Sequence, residues 1–231
     1  MTAPATSATI AANVAVVRER IAHACERAGR DPSGVTLIAV SKTFGPEAIL
    51  AALDAGITDF GENRIQEALT KFEAVRSMPQ TRDLGLRTHL VGHLQTNKVR
   101  AAVGAFDILH AVDSERLLRT IDTAATSPAR LMIEVNVSGE ATKYGIAPAA
   151  LPALLRVGED LPNVRIEGLM TIAPRAADPE DARPVFAQLA SLAKEHGLPF
   201  LSMGMTEDFE VAISEGATHV RVGRAIFGER V

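Results

Sequence analysis

The chain has 231 residues, 47% of them hydrophobic, which is enough apolar material for one large domain or two small ones. Its formal net charge of −4 excludes a broad basic surface, so nucleic acid is not an expected partner. No apolar run approaches the length of a membrane span. The one cysteine, Cys25, excludes an internal disulfide and a cysteine metal cluster, and it fits a reducing cytoplasm.

We expect no secretion signal in the first residues of the chain, because they include neither a basic n-region nor an apolar h-region. Residues 1–8 are small and polar, so we expect a flexible N-terminal tail there and a single domain over residues 9–231. Apolar residues then recur at helical spacing and predict a helix over residues 9–28, with Cys25 on its buried stripe. The six histidines form no HxH or HExxH pair, so we expect no metal site.

A buried strand follows this helix and ends at a lysine. Residues 35–40 are mostly branched and apolar, as in a strand with both faces covered, and Ser41 and Lys42 come directly after them. Gly45 and Pro46 break the chain before the next helix, so Lys42 lies where a strand opens into a loop. Apolar surroundings would lower the pKa of its ammonium group and make the amine a usable nucleophile. The alternative is a lysine that extends from a strand end into solvent.

Strand and helix patterns then alternate to the end of the chain. Eight strands are predicted, over residues 35–40, 58–60, 88–92, 107–111, 130–137, 165–170, 199–201 and 218–222. Helices are predicted over residues 47–55, 63–75, 96–103, 148–159, 178–196 and 206–215, and two more begin near Ser114 and Arg224. Eight β-then-α units in a chain of this length predict an α/β fold, a single (β/α)8 TIM barrel with an extra N-terminal helix. A doubly wound open sheet is the alternative, but it normally has fewer strands, and the chain has no GxGxxG fingerprint.

The last two loops on the carboxyl-terminal face of such a barrel predict a phosphate site. They contain Ser202-Met203-Gly204-Met205-Thr206 and Gly223-Arg224, and each pairs a glycine with the start of a helix. Free backbone N–H groups at such positions bind phosphate, and barrels often bind it after strands 7 and 8. Thr206 is the expected helix N-cap, with Glu207 and Asp208 facing away from the anion. Either glycine alone is better explained by turn geometry, and it is the presence of both loops at these two positions that favours a phosphate.

A lysine on strand 1 that faces a phosphate site on strands 7 and 8 suggests pyridoxal 5′-phosphate (PLP), held on Lys42 as a Schiff base. Arg221, within strand 8, would approach the ring nitrogen. Because an arginine keeps its proton, it would leave the pyridine a poor electron sink and limit the chemistry to mild proton transfer or none. An ion pair at the barrel end is the alternative role for Arg221.

Seven segments, spread over most of the chain, carry a combination of motifs that is specific although no single motif is. They are Ala39-Val40-Ser41-Lys42, Phe60-Gly61-Glu62-Asn63, His89-Leu90-Val91-Gly92-His93-Leu94-Gln95-Thr96-Asn97-Lys98, Lys143-Tyr144-Gly145-Ile146, Gly168-Leu169-Met170-Thr171-Ile172, Ser202-Met203-Gly204-Met205-Thr206-Glu207-Asp208 and Arg221-Val222-Gly223-Arg224-Ala225-Ile226-Phe227-Gly228. In these segments the chain resembles the YggS/PROSC family of pyridoxal phosphate homeostasis proteins (PLPBP). The resemblance implies a single-domain barrel like the N-terminal domain of alanine racemase, PLP on Lys42, and a role in PLP supply and amino-acid balance without an established catalytic reaction.

Three positions depart from the pattern of this family. Arg64 stands where the family often has an aromatic residue, and Thr206 replaces a frequent serine but keeps its hydroxyl group. Arg224 replaces a small Thr or Ser, so a hydroxyl contact to phosphate is lost there. The backbone N–H remains at residue 224, and a guanidinium group can substitute as a charge-assisted donor.

Two catalytic functions stand as alternatives to a PLP-binding role. A two-base racemase needs a second acid/base group opposite the lysine, which in the alanine racemases is a tyrosine from a second domain of the partner subunit. The one tyrosine here, Tyr144, matches a variable family position, and we expect it on the surface; a racemase would then be a slow, one-base enzyme using Lys42. A PLP-free class I aldolase is less well supported, because its lysine commonly lies on strand 6, where this chain has Glu167 and no lysine.

We therefore predict a cytoplasmic, non-catalytic PLP-binding protein that takes up and releases its cofactor. We expect a monomer with no membrane partner, and PLP-dependent apoenzymes are the candidate recipients of the cofactor. We assign no catalytic residue, and we assign cofactor binding to Lys42, Asn63, His89, Ser202, Met203, Gly204, Arg221, Gly223 and Arg224.

Supporting roles are expected for polar residues around this site. Asn63 would orient the lysine or the ring. His89 and His93 would be hydrogen-bonded structural histidines beside the cofactor, with a role as acid/base groups as the alternative. Charged residues on predicted outer helices are expected to form a solvated face; they are Arg64, Lys71, Lys98 and Arg100.

Overall fold

The computed structural model describes residues 6–81 and 84–229. Its centre is a closed barrel of eight parallel strands in chain order, in which the first strand pairs with both the second and the eighth. The strands are β1 (Thr36–Val40), β2 (Asp59–Glu62), β3 (Arg87–Leu90), β4 (Ile108–Val112), β5 (Ala129–Glu134), β6 (Val164–Met170), β7 (Phe200–Met205) and β8 (His219–Val222). The predicted (β/α)8 barrel is thus confirmed, and the open-sheet alternative is wrong.

Helices surround this barrel. They are α1 (Ser7–Arg27), α2 (Pro46–Asp54), α3 (Ile65–Arg76), α4 (Val99–Val103), α5 (Glu115–Ala124), α6 (Leu151–Glu159), α7 (Arg183–Glu195), α8 (Phe209–Ser214) and α9 (Arg224–Phe227). Three of the predicted helices begin with a 3-10 turn instead; these turns are Thr96–Lys98, Pro148–Ala150 and Pro179–Ala182. Within the described part of the chain, no helix is long and apolar enough to cross a membrane.

Helix α1 is the extra N-terminal helix that the apolar spacing predicts. It begins at Ser7 rather than residue 9, because the Thr6 hydroxyl oxygen accepts a hydrogen bond from the Thr9 N–H and caps the first turn. Its buried stripe includes Cys25 and packs against α2 and α8. Arg30, just after the helix, donates to the carbonyl oxygens of Ile213 and Ala217 and ties it to the end of α8. Residues 1–5 of the predicted tail lie outside the described residues.

The main apolar core lies between the barrel wall and the helices, while the barrel interior is partly polar. Alternate strand residues point to opposite faces, so Ala39 joins the outer core whereas Ile38 and Val40 form a small cluster inside the barrel. A second interior cluster contains Ala111, Met132 and Met170. Buried polar side chains share the interior with these two clusters; they include Asp59, His89, His110, Glu134, Ser202, His219 and Arg221.

Candidate functional site

Lys42 lies in the turn that follows β1 and is half-buried. The alternation that points Ile38 and Val40 inward continues through this turn, because the side chain of Ser41 points outward and bonds to Glu62. Lys42 therefore continues the inward-facing set at the carboxyl-terminal mouth of the barrel. The residue after it, Thr43, has a backbone φ of +72° and is the one non-glycine residue with a positive φ in residues 6–81 and 84–229.

Four residues on the outer side of β1 and β2 form what we call the lysine cluster: Ser41, Glu62, Glu67 and Lys71. The Lys71 Nζ atom donates to the Ser41 carbonyl oxygen at 2.8 Å, to Glu62 Oε1 at 2.6 Å and to Glu67 Oε1 at 3.0 Å. The Ser41 hydroxyl donates to Glu62 Oε1 at 2.7 Å. The prediction that Lys71 belongs to a solvated face is wrong, because its side chain is only 5% exposed and is buried between α3 and the barrel wall.

The loops after β7 and β8 close the barrel beside Lys42. Gly204 has a φ of +90°, and a Cβ added there would lie 2.6 Å from the Cβ of Ala212, so only glycine fits this turn. A Cβ on Gly223 would lie 3.0 Å from the carbonyl oxygen of Val40, two residues before Lys42. Since β8 pairs with β1 over Ala39 and Val222, the second glycine loop and the lysine turn are neighbours at the mouth.

Helix α8 begins three residues later than predicted. Thr206 is not its N-cap, because the helix starts at Phe209 and Asp208 takes the N-cap position. The Asp208 carboxylate accepts the Met205 N–H at 2.6 Å, and this bond keeps residues 206–208 out of the helix. The glycine loop after β7 is thus closed by one of its own acidic side chains.

A row of hydrogen bonds, which we call the interior chain, crosses the barrel and ends at Arg221. Its members are Asp59, His89, His110, Ser202 and Arg221. The Arg221 guanidinium group donates to the Ser202 hydroxyl at 2.7 Å and to the Thr171 carbonyl oxygen at 2.9 Å. The Ser202 Oγ lies 2.8 Å from His110 Nδ1, and His110 Nε2 lies 2.9 Å from His89 Nδ1. His89 Nε2 lies 3.0 Å from an oxygen of Asp59.

Charge at both ends of the interior chain sets the direction of its two terminal hydrogen bonds. Burial opposes ionisation of Asp59, but hydrogen bonds from His89 and Arg87 outweigh it and lower its pKa, so Asp59 is an acceptor. Burial, with His89 nearby, puts the pKa of His110 well below its ordinary value, so His110 stays neutral. The bond at one end is therefore donated by Arg221 to Ser202, and the bond at the other end is accepted by Asp59 from His89. Burial also lowers the pKa of Arg221 to about 10, which leaves it protonated at neutral pH.

Glu134 is a buried acid at the end of β5. Its carboxylate makes no hydrogen bond or ion pair to residues that the structure describes. Burial, reinforced by the nearby Asp113 carboxylate, raises the pKa of Glu134 to about 7, and the Arg221 charge partly offsets this. The mouth of the barrel therefore contains an acid that changes charge near neutral pH.

His93 and Tyr144 form the outer rim of the mouth. Their rings stack with centroids 3.9 Å apart, and His93 Nδ1 lies 3.7 Å from Asp113 Oδ2. Tyr144 is exposed, in agreement with the prediction of a surface residue. Asn63 is also exposed, directly after the end of β2.

The remaining assigned residues differ in how they can contribute. His89 is buried and both of its ring nitrogens are bonded within the interior chain, and the Ser202 hydroxyl is bonded to His110 and Arg221. The Met203 side chain packs in the outer core, so its backbone alone faces the loop. The Arg224 side chain is exposed and pairs with Glu207 and Glu229.

Sequence reasoning missed three residues of the site's surroundings, Lys71, His110 and Glu134. His110 and Glu134 are polar residues inside predicted strands that are otherwise apolar, and a buried role could have been inferred from that. Lys71 has no such signal, because a lysine on an amphipathic helix is ordinarily exposed.

Comparisons with known proteins place this chain in a family. The family described as "Alanine racemase, N-terminal domain" matches residues 7–231. The pyridoxal phosphate homeostasis protein of Aquifex aeolicus is 46% identical over 223 residues, which cover 93% of this chain and 95% of the relative. The corresponding protein of Escherichia coli (strain K12) is 40% identical over 229 residues, covering 96% of this chain and 97% of the relative. The chain belongs to the pyridoxal phosphate homeostasis protein family.

Solved structures agree with this membership and with the fold. PipY of Synechococcus elongatus, in a structure with PLP bound, is 37% identical with a TM-score of 0.79, and the match covers 95% of this chain and all of PipY. Alanine racemase from Corynebacterium glutamicum is 19% identical with a TM-score of 0.65, over 93% of this chain and 62% of the racemase. The second match shows a shared fold only. The family resemblance and the alanine racemase-like barrel predicted from the sequence are both confirmed.

Proposed function

We propose that this protein binds PLP reversibly as a Schiff base on Lys42 and serves in PLP homeostasis and amino-acid balance. The observation that carries the proposal is the juxtaposition of the Lys42 turn with the glycine loop at Gly223, next to Arg221. The family supports it, since relatives over nearly the full chain are named pyridoxal phosphate homeostasis proteins and PipY has a structure with PLP bound.

The residues present fit such a cofactor. A side chain is excluded at Gly204 and would be tightly packed at Gly223, which leaves backbone groups to hold a phosphate. Lys42 would hold the cofactor through its amine, which would replace the aldehyde oxygen in a C=N bond with release of water, and water would reverse this. Bound PLP supplies an electron-withdrawing ring. Among the other assigned residues, His89 and Ser202 act by supporting Arg221, and Arg224 acts through its backbone N–H.

Arg221 favours holding the cofactor over turnover. Its pKa of about 10 keeps it charged, and two of its N–H groups are committed to Ser202 and Thr171, which fixes the guanidinium group in place. A guanidinium beside the pyridine nitrogen does not donate its proton, so the ring stays a weak electron sink. We therefore propose a non-catalytic role, in a cytoplasmic monomer that delivers PLP to apoenzymes.

The test is the visible absorption spectrum of the protein with added PLP, for the wild type, Lys42→Ala and the control Lys98→Ala. Lys98 is a half-buried lysine after β3 on the same face of the barrel. We expect a Schiff-base band in the wild type and the control, fixed by borohydride on the peptide that contains Lys42, and no band in Lys42→Ala. Absence of a Schiff-base band in the wild type at saturating PLP would contradict the proposal.

An amino-acid racemase assay on the same PLP-loaded samples tests the non-catalytic role. We expect no turnover above the rate of free PLP. Racemisation at ordinary enzyme rates, near 1 s⁻¹ or faster, would replace that role with the racemase alternative.

A further inference from the structure

A single buried ammonium group fixes the backbone on both sides of Lys42. On one side, Lys71 Nζ donates to the Ser41 carbonyl oxygen at 2.8 Å. On the other side, the Thr43 N–H donates to Glu67 Oε1 at 2.6 Å, and that same oxygen accepts from Lys71 Nζ at 3.0 Å. Lys42 is the residue between these two attachment points.

The lysine cluster is an arrangement with a specific task rather than a general source of stability. An ammonium group has three donors, and the three acceptors here satisfy all of them. Burying such charges carries a large desolvation penalty, and well-packed apolar residues are often as stable or more stable. Glu62 Oε2 is moreover buried without a hydrogen-bond partner among the described residues, which adds to that cost. Because the buried charges of this cluster cost folding free energy, its presence is better explained by the backbone turn that it holds in place.

What it holds in place is a turn that the chain does not adopt readily. Thr43 is β-branched and has a φ of +72°, a conformation that costs a non-glycine residue roughly 1–3 kcal/mol. Its N–H bond to Glu67 and the Ser41 bond to Lys71 oppose relaxation of this turn. If the turn relaxed, the inward direction of the Lys42 side chain would change.

We propose that Lys71 is a positioning residue for Lys42, which holds the Ser41–Thr43 turn so that the Lys42 amine points at the aldehyde of the bound cofactor. This inference rests on the proposed function and adds to it the residue that orients the reacting amine. Lys71 does not touch the cofactor; it acts through the backbone on either side of Lys42.

The experiment compares two ligands that differ in one group. PLP reacts with Lys42, whereas pyridoxine 5′-phosphate has an alcohol in place of the aldehyde and reports on binding alone. In Lys71→Met we expect the rate constant for Schiff-base formation to fall about 10- to 100-fold, as expected for a misplaced reactant, while the dissociation constant of pyridoxine 5′-phosphate stays within about 2-fold. Equal losses for both ligands, or no loss for PLP, would overturn the proposal.

A matched control and a second variant guard against a purely structural effect. Arg130→Met removes a cation that bonds to the buried Glu167 carboxylate at the start of β5 and β6, at the opposite end of the barrel. We expect it to lower stability without slowing Schiff-base formation. Should Lys71→Met not fold, the double variant Lys71→Met with Glu62→Gln removes both buried charges, and the same loss of rate is expected.

Hydrogen exchange on the protein without cofactor gives an independent readout. We expect faster exchange of the Thr43 amide in Lys71→Met, with exchange in β5 to β8 unchanged; an unchanged Thr43 amide would contradict the proposal. If the wild type forms no Schiff base, the proposed function fails. If the wild type forms it and Lys71→Met forms it equally fast, only the positioning role fails.

Discussion

The two buried polar clusters beside the site are built on opposite plans. The interior chain is serial: each group between Arg221 and Asp59 bonds to one neighbour on either side. The lysine cluster is convergent, because three acceptors meet at one ammonium group. In the serial cluster a lost member leaves its neighbours with their other partners. In the convergent cluster, loss of Lys71 removes all three bonds of the ammonium group at once. Two of their acceptors, the Ser41 carbonyl oxygen and Glu67, hold the residues that flank Lys42.

The buried acids Glu62 and Glu134 also differ in the partners that stabilise their ionised form. Burial raises the pKa of both Glu62 and Glu134. Bonds from Lys71 and Ser41 oppose the rise at Glu62, whereas Glu134 has only the more distant Arg221 charge to oppose it. Hydrogen bonds in the lysine cluster therefore favour the ionised form of Glu62, whereas no such bond from the described residues favours the ionised form of Glu134 at the mouth of the barrel. The following substitutions separate stability from control of Lys42.

Removal of the middle of the interior chain should have the largest effect on stability. In His110→Leu, His89 Nδ1 and the Ser202 hydroxyl each lose a buried partner, and the free energy of unfolding should fall by about 3 kcal/mol. Arg221 keeps its bond to the Thr171 carbonyl oxygen, so the affinities for PLP and pyridoxine 5′-phosphate should change by the same factor. Chemical denaturation and the two ligand titrations measure this.

The control for that substitution is His23→Leu, on the exposed side of α1, which should change stability by less than about 0.5 kcal/mol. A loss of PLP affinity in His110→Leu that pyridoxine 5′-phosphate does not share would mean that the interior chain also controls Lys42, and the contrast between the two clusters would fail.

Glu134→Gln should increase stability, and only at higher pH. The folded-state pKa of Glu134, about 7, lies above its ordinary value, so the folded protein favours the protonated acid. Its contribution is intact below about pH 4 and is lost as the pH rises through 7, which costs the wild type roughly 2–3 kcal/mol above that pH. The variant should therefore be more stable than the wild type by about 2 kcal/mol at pH 8 and equally stable at pH 4, as measured by unfolding at both pH values.

Glu167→Gln is the control, and at pH 8 it should change stability in the opposite direction. Glu167 is buried but bonds to Arg130 and Arg165, so its loss should destabilise the protein at pH 8. If Glu134→Gln were also destabilising at pH 8, the ionised Glu134 would be stabilised by its surroundings, as Glu167 is, and the comparison would fail.

The fold could be predicted because it depends on local patterns, and the same patterns place the residues of the proposed site on one face of the barrel. Residues 35–40 show the apolar run of a buried strand, and Lys42 follows it; parallel strands then bring its loop to the mouth together with the loops at Gly204 and Gly223. Those predictions needed only periodicity, breakers and the barrel's geometry.

The buried hydrogen bonds around Lys42 and Arg221 could not be predicted, because they join residues far apart in the chain. His110 and Ser202 are 92 residues apart, and Lys71 and Ser41 are 30 apart. The sequence pattern of the predicted outer helices gives Lys71 the same description as Arg64 or Arg100, although of these three only Lys71 is buried against the barrel wall. Likewise Thr206 fits the sequence pattern of an N-cap, and only the bond from the Met205 N–H to Asp208 moves the helix start.

The smallest expected effect comes from Ser41→Ala, and it isolates the hydroxyl group of the lysine cluster. This hydroxyl donates to the buried Glu62 carboxylate at 2.7 Å, so its loss should cost about 1–2 kcal/mol of stability. Ser33→Ala removes a hydroxyl that donates to the Asp31 carboxylate at 2.6 Å on the exposed surface and should cost at most about 0.5 kcal/mol. The Ser41 carbonyl oxygen still accepts from Lys71 in Ser41→Ala, so the rate of Schiff-base formation should stay within about 2-fold of the wild type. A rate loss as large as that of Lys71→Met would assign control of the turn to the hydroxyl instead of the ammonium group.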